Sequence, residues 1–153
     1  MDNGEITGLI SVDIRKAFDS IDHKILLRKM QDQFGGQDFE LKWFQSYLTK
    51  RSQVCVVDGH TSLAKEIVCG VPQGSILGLL MFLLYVNDLP ECLKNTTPGM
   101  YADDTQIYAS SASFSELVIK WLSRNKLQLH TKKTKAMFIG SPYNLKHKVG
   151  NEQ

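Results

Sequence analysis

At 153 residues, 42% of them hydrophobic, the chain has the length of one domain and enough apolar material for a modest core. A net charge of +2 at pH 7 is slight for a nucleic-acid binder, so bulk charge selects no partner. The three cysteines, Cys55, Cys69 and Cys92, lack metal-ligand spacing, and an odd number argues against a closed disulfide set. Met1 is followed by polar Asp2-Asn3-Gly4-Glu5 rather than a signal peptide, so the default expectation is an intracellular chain, nuclear or cytoplasmic.

In chain order, Gly8 to Val12 reads as a short buried strand with Asp13 at its end. Ile21, Ile25, Leu26, Met30 and Phe34 follow helical spacing, stopped by Gly35-Gly36. Phe39 to Thr49 reads as a second helix with Leu41, Phe44 and Leu48 on one face. Gln53 to Val57 and Lys65 to Cys69 are expected to pair as strands around the turn Asp58-Gly59. Gly70-Val71-Pro72-Gln73-Gly74 is a tight, backbone-exposing loop. Ser75 then caps an apolar helix, Ile76 to Val86, which is expected in the core and is shorter than the roughly 20 residues a bilayer needs. Met100-Tyr101 and Ile107-Tyr108-Ala109 read as two strands flanking an acidic turn. Phe114, Leu117, Val118, Trp121 and Leu122 make a further amphipathic helix, and Leu127–Leu129 and Ala136–Ile139 are candidate closing strands. Helices mixed with a central antiparallel hairpin predict an α+β fold. Residues 1–140 are expected to form this domain and 141–153 a polar, flexible tail.

Chemistry is concentrated at two acidic places. Asp103 and Asp104 stand side by side among apolar residues, and Asp13 closes the first strand. Alone, the pair reads equally well as an ordinary polar hairpin turn. If Asp13 neighbours that hairpin, three carboxylates converge, and like charges so placed repel unless a cation compensates. Mg²⁺ suits hard oxygen ligands shared with substrate phosphates, and two such ions roughly 3.5–4 Å apart can clamp a phosphoryl transfer. A second asymmetry lies in the charge. Leu117 to Gly150 carries eight Lys or Arg and no Asp or Glu, leaving net −6 elsewhere. That basic stretch suits phosphate-backbone contact, or is simply a lysine-rich solvated surface.

Three ordered stretches, Asp13–Asp19, Gly70–Asp88 and Tyr101–Tyr108, resemble motifs of the reverse transcriptases of non-LTR (LINE-type) retrotransposons. Asp22–Leu27, Trp43–Leu48, Tyr85–Pro90, and Trp121–Leu127 leading to Lys132–Met137 extend the resemblance over roughly Gly8 to Gly140. The resemblance implies a polymerase palm acting as an RNA-directed DNA polymerase. RNA template, DNA primer and deoxynucleoside triphosphate would be its partners, with no membrane, and two Mg²⁺ its cofactors, Mn²⁺ substituting. It makes Asp13 and Asp103 the main metal ligands and Asp104 the third carboxylate. Phe18 matches the aromatic under the incoming sugar, or is core packing. Gln73 and Gly74 match the loop that meets nucleotide and template. Lys133 matches the proton donor to pyrophosphate, with Lys132 and Lys135 as alternatives.

The chain also departs from the pattern. Fingers and thumb are expected to be largely missing, the segment between Tyr108 and Trp121 is short, and Leu79 and His130 replace a usual proline and asparagine. A second reading is therefore a catalytically dead remnant, at most a nucleic-acid-binding or interaction module. A third, an unrelated metal nuclease, is disfavoured by the motif order.

Overall fold

The computed structural model describes residues 7–72, 74–93, 96–101, 104–109 and 114–146. In chain order its elements are β1 (Thr7–Val12), a 3-10 turn (Phe18–Ser20), α1 (His23–Phe34), α2 (Asp38–Leu48), β2 (Ser52–Gln53), β3 (Val56–Val57), β4 (His60–Thr61) and β5 (Lys65–Glu66). There follow α3 (Ile76–Val86), α4 (Leu89–Cys92), β6 (Thr96–Tyr101), β7 (Asp104–Ala109), α5 (Phe114–Arg124), β8 (Lys135–Ile139) and α6 (Pro142–Asn144). They fall into two compact units, Met1–Arg15 with Asn87–Gln153, and Lys16–Val86.

The first unit is built on a four-stranded antiparallel sheet of order β6-β7-β1-β8. Strand periodicity shows in β7, where Thr105 and Ile107 are buried while Asp104, Gln106 and Tyr108 are exposed. Pro98 lies in β6, an edge strand, the position where a residue without an N–H does least harm to a ladder. Val118, Trp121 and Leu122 of α5 are buried, as their helical spacing predicts. The Trp121 indole N–H donates to Asp88 Oδ1 at 2.9 Å, tying α5 to the segment just before α4.

The second unit holds three main helices and a small arm. Asp22 caps α1, its carboxylate accepting from the Lys24 and Ile25 N–H groups, both at 3.0 Å. Gly35 ends α1 in the left-handed conformation, φ +66°. Ile21, Leu26, Met81, Phe82 and Tyr85 are its most deeply buried side chains. The Lys29 ammonium is buried too, donating to the Tyr85 carbonyl at 2.6 Å and lying 5.1 Å from the Tyr85 ring centroid.

Three local expectations need correction. The apolar α3 is only half a core helix: Met81, Phe82, Tyr85 and Val86 are buried, whereas Ile76, Leu79, Leu80 and Leu83 are exposed. A helix apolar all round carries no periodicity from which its outer face can be read. The arm is not one hairpin ladder. Val56–Val57 pair with His60–Thr61 around Asp58-Gly59, but Ser52–Gln53 pair with Lys65–Glu66 in a register offset by one residue. That offset breaks the ladder as a bulge does. Leu127–Leu129 forms no strand; it contributes one bridge, Leu129 to Ile14, and the Gln128 carbonyl accepts from the Arg15 N–H at 2.8 Å.

Gly70 has φ +83°, and a Cβ there would come within 2.9 Å of the Asp19 backbone. Gly59 has φ +78° with open space around it. Gly59→Ala is expected to cost only the left-handed penalty, about 1–2 kcal/mol. Gly70→Ala adds a backbone clash and should cost more; urea titration of both variants checks the order.

Candidate active site

Asp13 is placed by the sheet. The β1–β7 ladder runs from Gly8↔Ala109 to Val12↔Thr105, so the next step sets Asp13 opposite Asp104. Directly opposed residues of an antiparallel pair share a face, on strands about 4.7–4.9 Å apart. Asp104 also opens β7 opposite Tyr101. Asp13 is half-buried and Asp104 exposed, so both carboxylates stay within reach of solvent at the sheet's end. Asp103 lies outside the described residues, and among those described no group of three His, Cys, Asp or Glu is placed to hold a metal. Asp13 follows the last residue of β1 and Asp104 is the first of β7, two carboxylates of the hard-oxygen kind that divalent cations take.

The backbone of Asp13 is held from the other side by the turn before β8. Its N–H donates to Thr134 Oγ1 at 3.2 Å, and its carbonyl accepts from the His130 N–H at 2.8 Å. The same turn is closed by the Lys133 and Thr134 N–H groups donating to the His130 carbonyl, both at 2.9 Å. Lys132 and Lys133 therefore ride on the turn that clamps Asp13, while Lys135 begins β8 opposite Ser11; all three lysines are exposed. In the sequence His130 stands out only as a replacement for a usual asparagine, and Thr134 not at all. Nothing in their spacing marks a backbone clamp, because the partner lies 121 residues away from Thr134.

Phe18 and Gly74 belong to the second unit. Phe18 is half-buried and packs on Phe82 with ring centroids 5.0 Å apart, so its packing role is real. Gly74 is exposed with φ +82° and open space where a Cβ would stand, leaving its backbone approachable. Gln73 lies outside the described residues. The Gly70–Ser75 loop borders a cleft of about 530 Å³ lined by Asp19, Tyr47, Arg51, Glu66, Gly70 and Pro72 among others. Arg51 is fixed there: its Nε–H donates to the Tyr47 carbonyl at 2.7 Å and its guanidinium lies 4.9 Å from the Tyr47 ring centroid.

The fold is α+β, helices with a four-stranded antiparallel sheet, as in a polymerase palm. The chain belongs to the reverse transcriptase (RNA-dependent DNA polymerase) family, whose model matches residues 1–149. It is 34% identical over 120 residues to the RNA-directed DNA polymerase from mobile element jockey of Drosophila melanogaster, covering 74% of this chain and 13% of that protein. It is 32% identical over 116 residues to the Pol polyprotein from type-1 retrotransposable element R2 of Popillia japonica, covering 76% of this chain and 19% of that one. The non-LTR resemblance is thereby borne out, and the chain spans less than a fifth of these relatives' length. Among solved structures, telomerase from Candida tropicalis in complex with a fragment of telomeric RNA superposes with TM-score 0.71 at 13% identity, over 90% of this chain and 27% of that one. Apo telomerase from the same organism, truncated from its C-terminal domain, gives 0.69 at 15% identity over 90% of this chain and 32% of that one. At such identities the likeness speaks to the fold, and the α+β palm expected from the sequence is the fold found. Reverse transcriptases as a family use divalent metal ions and bind an RNA template.

Thr134→Val keeps the side chain's shape and removes the acceptor for the Asp13 N–H, so it is expected to cost about 1–2 kcal/mol in urea unfolding. Thr134→Ser should recover most of that loss.

Proposed function

We propose that the chain performs RNA-directed DNA synthesis as a palm: a primer 3′-hydroxyl attacks the α-phosphorus of a deoxynucleoside triphosphate and pyrophosphate leaves. What supports this reading is the β1–β7 register, whose last pair, Val12 with Thr105, is followed by Asp13 on one strand and preceded by Asp104 on the other. In this reading Asp13 and Asp103 are the main ligands of two Mg²⁺ ions, with Asp104 beside them and Mn²⁺ able to substitute. When bound, the ions supply charge neutralisation at the attacking and leaving oxygens. Asp13 presents its carboxylate from a strand end whose backbone is already fully bonded, so it is positioned before substrate arrives. Lys133 donates the proton to departing pyrophosphate, with Lys132 on the same turn as its nearest competitor. Phe18 lies under the incoming sugar, and Gln73 and Gly74 meet the nucleotide and template. Template sequence is read by base pairing, so the protein contributes positioning and charge stabilisation, which dominate phosphoryl transfer.

Primer extension on an RNA template with Mg²⁺ or Mn²⁺ tests this. The parent chain is expected to extend a labelled DNA primer, with Asp13→Ala and Asp103→Ala each abolishing extension. Absence of extension by the folded parent, together with salt-sensitive nucleic-acid binding that persists in both variants, would select the non-catalytic reading instead. Separately, Lys133→Ala is expected to lower the extension rate by roughly 10²–10⁴-fold, the usual worth of general acid–base catalysis, with Lys132→Ala affecting it little.

A further inference from the structure

The loop assigned to nucleotide contact is fastened at both ends by side chains to which the resemblance gives no role. At its entry, His23, the buried first residue of α1, places Nε2 at 2.7 Å from the Gly70 carbonyl. A carbonyl only accepts, so the imidazole carries its proton on Nε2 there. The Gly70 N–H donates to the Ile21 carbonyl at 2.7 Å and the Val71 N–H to the Phe18 carbonyl at 3.0 Å, so the loop begins as an extension of the Phe18–His23 segment. Gly70 permits this approach because it has no Cβ to strike Asp19. At the exit, the Tyr47 and Ser75 hydroxyls share a 2.7 Å hydrogen bond, and Ser75 Oγ also accepts from the Leu77 N–H at 3.2 Å at the start of α3. Tyr47 is itself held by stacking on Trp43, 5.7 Å between centroids and 10° between planes, and by Arg51 over its ring.

We propose that His23 and Tyr47 are positioning residues that anchor the Gly70–Ser75 loop at its two ends, Gly70 and Ser75, and that nucleotide binding to the loop depends on both. This rests on the nucleotide-contact reading of that loop. Preorganisation lowers the ordering cost of binding, so a loop braced at entry and exit binds a triphosphate without first paying to arrange its own backbone. The two braces differ in chemistry. The His23 brace needs only an N–H donor at the Nε2 position, so a glutamine amide can stand in for it. The Tyr47 brace is a single hydroxyl on a ring that keeps its stacking when that hydroxyl is removed.

The test uses the full chain as His23→Leu, His23→Gln and Tyr47→Phe. Hydrogen–deuterium exchange is read over residues 70–78, with the β1–β7 ladder as internal reference. Binding of a fluorescent deoxynucleoside triphosphate with Mg²⁺ is measured beside binding of an RNA–DNA duplex. His23→Leu and Tyr47→Phe are expected to speed exchange in residues 70–78 by about fivefold to tenfold, the effect of losing one hydrogen bond. They should weaken nucleotide binding by a similar factor, weaken duplex binding no more than that, and leave the ladder unchanged; His23→Gln should restore both exchange and nucleotide binding. Unchanged exchange in both variants overturns the bracing, whatever the parent does with nucleotide. Faster exchange with nucleotide affinity equal to the parent's overturns its link to binding. Faster exchange in a chain whose parent binds no nucleotide overturns the nucleotide reading of the loop and leaves the bracing supported.

Discussion

The pairing of β1 with β7 is the constraint on which the acidic site depends. Side chains alternate along a strand, so a slip of one residue in this ladder would send Asp13 and Asp104 to opposite faces. Ile10 opposite Ile107 and Val12 opposite Thr105 hold the register, because Ile107, Val12 and Thr105 are all buried. The burial of apolar groups thus sets the spacing of polar ones.

That dependence explains which parts of the molecule were legible in the sequence. Amphipathic α1 and α2, the stop at Gly35 and the two strands flanking the acidic turn each carry a local signal, and each lies where that signal placed it. The outward face of α3 does not, since Leu79, Leu80 and Leu83 are as apolar as the buried Met81 and Phe82. The offset within the arm was also hidden: Gln53 and Val57 lie in one apparent strand, and only pairing reveals that their partners belong to different ladders. Of the site, Asp13 and Asp104 could be named from motif order. The His130–Thr134 turn that fixes Asp13 could not, because long-range backbone bonds leave no mark on residue type.

In the second unit, polar groups have been taken inside to fasten backbone rather than to react. His23 and Lys29 are both buried, and each meets a main-chain carbonyl, of Gly70 and Tyr85 respectively. Both carbonyls come near the ends of the stretch containing the loop and α3. Buried polar contacts of this sort add less to net stability than apolar packing would, but they accept few alternative geometries. A segment whose backbone shape matters gains from such specificity.

The two borders of the four-stranded sheet are unequal. β6 carries Pro98, which interrupts the row of donors along its edge, whereas β8 is exposed along its whole length and presents Met137, Phe138 and Ile139 beyond Lys135. A strand edge of that composition is a template for another strand, and proline and charge are the usual means of blunting one. Among the described residues the β8 border is thus the less protected of the two, with Lys135 as the charge standing against an added strand.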